Sequence, residues 1–536
     1  MKDREFNLLW EKWIWVRKND NNREKWSLLD VFERAHEVKE ISGELSTQDI
    51  VILRLLLAVL YSIFPRKDIE GNQREIRTYD DVFRRWEELW NARQFPFEMI
   101  KEYLLQHEDR FWLFHPKYPF YQAVIHGKST EYFSGKLIGE LSESTNKVRL
   151  FPLRSGEKKK YIDFDEAARW LLHVNAFDDT SGKPTISKTF PSAGAGWLGQ
   201  LGLVYIQGVN LFETLVLNFV LCDDQGTIFK DPLSEKKAFW EKEEITSRER
   251  VEIPLPESQK ELLTLQSRRL ELKREGDKVI GYKLLGGDLI SKESAFIEQM
   301  TLWRKDEKEP IFLPKRHRID KQVWRDFAFF MASAETADRN PGVVSWIKLL
   351  KKKKMYTRKI VKLCVTGIQY GDKDFFVEDV IDDTLHVNSS IFEDDLDENW
   401  LFLIANMITK TDNAVYCLGY LATDIATAEG DSGRSKDKRK KEIREITREK
   451  GYQQLDMPFR EWLLSIDAER DSFTTKENEW NKTAKRILWQ EGKKMMDMCS
   501  NHAIIGFLDK DKKVVSAVNA YQKFQSGLAK NLGKEG

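Results

Sequence analysis

Past about residue 388 the chain takes on a period that a helix satisfies and a strand does not. Apolar residues fall at Trp400, Leu403, Ile404, Met407, Ile408, Ala414, Val415, Leu418, Leu421 and Ile425, spaced to share one helical face. The pattern returns at 459–466, 480–498 and 514–524. A lone apolar stripe must be buried against something. Four of them, joined by short or charged connectors, predict a C-terminal four-helix bundle over 388–536. The connector 431–450 is strongly basic, and the residues leave open whether it is helical or mobile.

The preceding 387 residues mix periods. Helical spacing marks 26–36, 47–64, 81–90, 97–106, 164–176 and 211–221, while 203–207 and 375–387 read as strands. Residues 270–285 read as a hairpin turning at Glu275-Gly276-Asp277. The apolar run 50–64 contains Arg54 and ends at Pro65; at about fifteen residues it falls short of the roughly 20 a membrane span needs, so it predicts a buried core helix. Ser46 or Thr47 is the expected cap of that helix. Residues 142–163 form a polar, basic loop, and the Gly/Ser/Pro/Thr-rich stretch 178–202 is not credible as regular structure. The fold class is therefore α+β: a large mixed N-terminal domain over 1–387 and a helical bundle over 388–536.

Charge and chemistry narrow the function. Lys plus Arg and Asp plus Glu both total 87, so a chain that wraps DNA by itself is disfavoured, and any nucleic-acid contact must come from local patches or from other subunits. The basic runs at 158–160, 351–354 and 436–441 are such patches, each equally readable as a solvated face. The four cysteines, Cys222, Cys364, Cys417 and Cys499, form no CxxC pair; they argue against a structural zinc site and fit a reducing cytoplasm. The first residues offer no apolar core for a signal peptide. No HExxH, no GxxxxGK[ST] loop and no GxSxG elbow occurs, so no catalytic residue, metal site or cofactor is assigned. The acidic run 393–398 fits a helix N-terminus; the enzyme alternative is a metal-dependent nuclease built on Glu393, Asp394, Asp395 and Asp397. A third alternative is a helical scaffold with no DNA contact.

Several stretches follow one another along nearly the whole chain, among them FNLLWEKWIWV at 6–16, HPKYPFYQ at 115–122, FDEAARWLLHVNAFDDTSGK at 164–183, AGWLGQLGLVYIQGVNLFETLVLN at 195–218, LQSRRLEL at 265–272 and EQMTLWR at 298–304. Together and in this order they resemble the CasA family, the large subunits of the type I-E CRISPR surveillance complex Cascade. The resemblance implies a non-catalytic, cytoplasmic prokaryotic subunit, not a membrane protein. Its partners would be crRNA, double-stranded target DNA, the repeating backbone subunit, the small subunits, the subunit that holds the 5′ handle, and a helicase-nuclease. Such a subunit tests the PAM beside the target, mostly from the minor groove, while the guide reads the rest.

Three elements carry that role in the family. The resemblance puts the glycine loop within 182–196, at Gly182, Lys183, Ser192, Ala193, Gly194, Ala195 and Gly196. It puts the lysine finger at Lys292 and the wedge at Gly371, Asp372 and Lys373. The family's wedge glutamine is not at that place in this chain; Gln369 is nearby. Asn146, Lys147 and Arg149 correspond to the loop that meets the crRNA 5′ end or a neighbouring subunit.

Overall fold

The computed structural model describes the chain except for residues 1–3, 144–149, 184–193, 224–225, 230–236, 244–257, 291–297, 332–338, 393–398, 431–435, 510–511 and 534–536, and except for the side chains of 436–437. The chain divides into two compact units. The first comprises 1–319, 338–356 and 362–384; the second comprises 320–337, 357–361 and 385–536. The architecture is mixed α and β, as the periods predicted.

The first unit is organised on the helix Ser46–Ile63, of which nearly every side chain is buried. Burying Leu, Ile and Val side chains contributes roughly 1.5–3 kcal/mol each, which explains why so apolar a segment becomes the core rather than the surface. Helices Phe164–Phe177 and Gln259–Leu263 pack against it. The expected Ser/Thr cap is not formed, because both hydroxyls are drawn elsewhere: Ser46 bonds Thr366 Oγ1 (2.9 Å) and Thr47 bonds His173 Nε2 (3.1 Å). The neighbouring backbone is served instead by Asp49, which accepts from Gly43 N (2.6 Å), and by Gln48, which accepts from Glu44 N (3.2 Å). Arg54, in the middle of this apolar helix, is held by Glu298 in a buried two-pronged ion pair (2.8 and 2.9 Å).

Three antiparallel sheets flank this core. Ile14–Lys18 lies between Arg23–Trp26 and Val38–Ile41. Arg268–Glu275 and Lys278–Gly286 form the expected hairpin, with Gly276 at a positive φ of 58° in its turn, and the second strand also pairs with Thr130–Phe133 and Ile162–Asp163. The third sheet has Ile360–Tyr370 in the centre, between Leu203–Gln207 and Val377–Asn388.

The second unit carries four long helices, Trp400–Ala428, Lys436–Ser465, Phe473–Asp497 and Ala517–Leu532, and the first packs against each of the others. Its centre is aromatic: Trp324 stacks on Phe459 (4.2 Å between centroids), and Trp480 Nε1 donates to Thr411 Oγ1 (2.8 Å). The basic segment after residue 436 is helical. Arg444 and Arg448 lie over Tyr420 and Tyr416 (4.5 and 3.9 Å), and their stems close on Gly419.

Candidate nucleic-acid interface

The glycine-rich stretch leaves the C-terminal end of helix Phe164–Phe177 and returns at Gly194. Its two described stems are pinned by one buried cluster of charges in the first unit. Arg268, at the start of the hairpin, donates through Nε to Asp178 (2.6 Å) and through Nη2 to the carbonyls of Asp179 (3.1 Å) and Gly194 (2.7 Å). One guanidinium therefore bridges the outgoing and incoming strands. The Arg268 backbone is fixed in turn by Asn175, whose amide oxygen accepts from Arg268 N (3.2 Å). Lys136 pairs with Asp179 (2.6 Å) and Lys183 with Asp178 (2.8 Å), all four side chains being buried.

Lys183 is thereby corrected as a candidate contact for DNA. Its ammonium is enclosed and also donates to the carbonyls of Asp179 (2.5 Å) and Ser181 (2.7 Å), so all three of its protons are engaged inside the protein. Burial pushes it down to about 8, although Asp178 pulls the other way. Burial works to raise the Asp178 carboxyl, but Lys183, Arg268 and Lys136 outweigh it and hold the group well below the usual carboxylate range. A cluster of this kind fixes the position of a loop; it does not attract phosphate.

The glycines of the loop are not equivalent. A Cβ at Gly196 would lie 2.3 Å from the Ala176 carbonyl oxygen and 2.9 Å from Phe177 N, and Gly196 N donates to Asp178 O (2.8 Å). Gly196 is glycine because helix and loop backbones touch there. A Cβ at Gly194 would meet nothing nearer than 3.9 Å, and one at Gly182 meets nothing within 4 Å. Trp197 anchors the returning strand, with its backbone N on Ser267 Oγ (3.0 Å) and its indole N–H on Glu298 (3.2 Å).

The turn after Tyr370 adjoins this loop. Lys373 and Asp374 have φ of 56° and 57°, a left-handed pair without glycine, each costing about 1–2 kcal/mol unless surrounding contacts hold it. They do: Thr180 Oγ1 donates to Lys373 O (2.7 Å), Thr180 N donates to Asp374 O (3.0 Å), and Arg316 grips the Asp374 carboxylate with both terminal nitrogens (2.7 and 2.9 Å). Asp372 and Lys373 themselves are exposed. Gln369 is half-buried on the preceding strand, its amide donating to Tyr370 O (3.0 Å).

A small recess is lined by Gly194, Ala195, Gln200, Arg268, Asp288 and Ile290, among others. The returning loop stem thus shares a hollow with the residues that lead towards Lys292. Lys292 itself, Ser192, Ala193, Asn146, Lys147 and Arg149 lie outside the described residues, as do Glu393, Asp394, Asp395 and Asp397. Among the described residues, no three His, Cys, Asp or Glu side chains gather as a metal site would need. In the basic loop, Lys159 is paired with buried Glu143 (2.8 Å) and Arg154 with Glu166 (2.5 Å), so two of its cations brace the protein itself. Beside them Leu150, Phe151 and Leu153 are 90%, 93% and 80% exposed, a contact feature that the charge-led reading passed over although LFPL stands out there in a polar stretch.

Comparison with known proteins bears on all of this. The profile of the CRISPR-associated protein Cse1 family matches residues 7–490. The CRISPR-associated protein CasA/Cse1 of Thermus thermophilus is 30% identical over 330 residues, which is 60% of this chain and 59% of that relative. The crystal structure of Thermobifida fusca Cse1 superposes with a TM-score of 0.82 at 26% identity, covering 99% of both chains. A chain of a CRISPR RNA-guided surveillance complex shares the fold, with a TM-score of 0.66 at 14% identity over 98% of this chain and 99% of that one.

Proposed function

The chain belongs to the CRISPR-associated protein Cse1 family, and on that premise we propose that it is the large, non-catalytic subunit of a crRNA-guided type I-E Cascade complex. In this reading it recognises the PAM in double-stranded DNA, helps open the duplex beside it and recruits a helicase-nuclease, working in the cytoplasm. The observation that carries the reading is the junction of the glycine-rich loop with the 371–374 turn at Thr180, above a base of buried ion pairs. Backbone amides of a glycine-rich loop whose described stems are pinned suit close approach to a groove floor, and an exposed turn beside those stems suits entry between base pairs. Lys292 supplies the donor to minor-groove acceptors such as pyrimidine O2 and purine N3. A purine–pyrimidine swap leaves an acceptor in a similar place, so one lysine discriminates only in part. Asn146, Lys147 and Arg149 are assigned to contact with the crRNA 5′ end or a neighbouring subunit, and the exposed Leu150, Phe151 and Leu153 that follow them add an apolar edge suited to a protein neighbour.

The test is Lys292→Ala in the assembled complex. Affinity for PAM-bearing duplex falls by about 1–3 kcal/mol, the usual scale of one good base contact, while crRNA loading and assembly are unchanged. Parental binding to every PAM variant, or failure to assemble before DNA is added, rejects the assignment of Lys292.

A further inference from the structure

We propose that Arg316 and Thr180 are positioning residues that tie the glycine-rich loop to the 371–374 turn, so that seating the loop on DNA and inserting the turn are one mechanical event. This deepens the function proposed above and rests on it. Thr180 sits on the outgoing stem of the loop and Arg316 lies outside it, and neither belongs to the exposed tip of the turn. Thr180 directly follows Asp178 and Asp179, the carboxylates gripped by Arg268, Lys136 and Lys183. From that fixed point it donates twice, to the carbonyls of Lys373 and Asp374, the two residues held at positive φ. Arg316 holds the same turn from its other side through the Asp374 carboxylate, and its guanidinium lies over the Tyr370 ring (5.4 Å). The Tyr370 hydroxyl returns to the root of the loop, donating to Phe177 O (2.7 Å). The path from loop stem to turn is therefore closed, made of directional bonds with no flexible link between them. With the stem at 178–183 held by the buried cluster, the turn keeps a set place beside the loop stem, and the left-handed pair cannot relax while Arg316 keeps Asp374.

The experiment uses the full complex with crRNA and a target carrying 2-aminopurine at the base pairs next to the PAM. Arg316→Met and Thr180→Val are expected to capture PAM-bearing duplex within about twofold of the parent but to open it about tenfold more slowly, the scale of one or two lost hydrogen bonds. A target already unpaired by mismatches beside the PAM is expected to be captured at the parental rate, which a merely structural role would not allow. Arg316→Lys restores part of the opening rate, since it keeps the charge and loses the two-pronged grip. Lys373→Ala separates the two levels of the argument. If it slows opening while Arg316→Met and Thr180→Val do not, the coupling is wrong and the wedge reading stands. If none of the three slows opening, the wedge reading fails and the coupling with it. Loss of capture on the unpaired target as well assigns both residues to folding and overturns the proposal. Thr180→Val alone decides the matter if Arg316→Met does not assemble.

Discussion

Substituting the two glycines at the returning stem separates what the fold needs from what a DNA groove needs. Gly196→Ala places a methyl group 2.3 Å from the Ala176 carbonyl oxygen and 2.6 Å from its carbon. Both are backbone atoms at the end of a helix, so no side chain can swing aside. Relieving such an overlap typically costs about 1–3 kcal/mol. The shift also breaks or stretches the buried Gly196 N to Asp178 O bond (2.8 Å), worth roughly another 1 kcal/mol. The sum, about 2–4 kcal/mol, is local, and it should appear as amide exchange accelerated from about thirtyfold to several hundredfold around 176–183 and 196–201. Gly194→Ala meets nothing nearer than 3.9 Å and should change stability by less than about 0.5 kcal/mol. Gly194→Val therefore tests close approach to DNA, whereas Gly196→Val tests the fold, even though sequence alone treats them alike. Hydrogen exchange followed by mass spectrometry on the isolated chain makes the comparison. If Gly196→Ala leaves exchange at Ala176 to Asp178 unchanged, or if Gly194→Ala matches it, the steric argument is wrong.

Three further outcomes follow from the buried and basic groups. Glu298→Gln leaves the Arg54 guanidinium buried without its anion and should destabilise the first unit by about 3–5 kcal/mol in urea unfolding, whereas Lys160→Ala, which removes an exposed ion pair, should have almost no effect; equal midpoints for the two variants would contradict the burial argument. Burial lowers His173 from 6.5 to about 3 and raises Asp49 from 3.8 to about 7, so on acidification from about 6.5 to 3.8 His173 removes stability while Asp49 restores it, at about 1.4 kcal/mol per pH unit each; His173→Asn should make stability rise as pH falls through that window, Asp49→Asn should make it fall more steeply, and two unchanged profiles in urea titrations would show that neither group is buried as described. Charge reversal at Lys438, Lys440 and Lys441 should flatten the salt dependence of target capture by about 0.9 in slope per phosphate contact removed, and an unaltered slope in filter binding would take this helix off the path of the DNA.

What the chain reveals by itself depends on how local each cause is. The hairpin at Arg268–Glu275 and Lys278–Gly286 was legible because its turn chemistry and its alternation are contiguous. The strand Ile360–Tyr370 was not read. It is the central strand of its sheet and mostly buried, so it has a near-continuous apolar run in place of alternation. Helix Lys436–Ser465 resembled a charged connector because part of its packing uses arginine stems laid over Tyr416 and Tyr420, a contact that no apolar stripe announces. The Ser/Thr cap of Ser46–Ile63 failed for a related reason: the competing partners, Thr366 and His173, are hundreds of residues away for the one and over a hundred for the other. In the loop, glycine content alone could not say which glycine faces backbone and which faces open space.

The placement of Lys183 bears on how a chain of zero net charge could take the proposed role. Lysine in a glycine-rich loop invites a phosphate, yet its strongest partner is Asp178, five residues back, and the arginine that shares this carboxylate lies ninety residues beyond it. Around the loop the five cations Lys136, Lys183, Arg268, Arg54 and Arg316 pair with four carboxylates inside the first unit, Lys183 and Arg268 sharing Asp178. These cations hold the shape of the site and are largely cancelled as a long-range field. A site built in this way gains little from counterion release and depends on fit, on amide donors and on the few cations outside the network, with Lys292 the one assigned. Under the proposed function, such a site would discriminate once DNA is delivered rather than gather DNA from solution. That division requires a basic partner for delivery, and it accounts for equal numbers of acidic and basic residues in a chain proposed to read DNA. Weak, salt-sensitive binding of random duplex by the isolated chain, with PAM selectivity emerging only in the crRNA-loaded complex, is the behaviour this charge arrangement demands; tight PAM-selective binding by the chain alone in a mobility-shift titration would mean that cations outside the network dominate and that the argument from pairing is wrong.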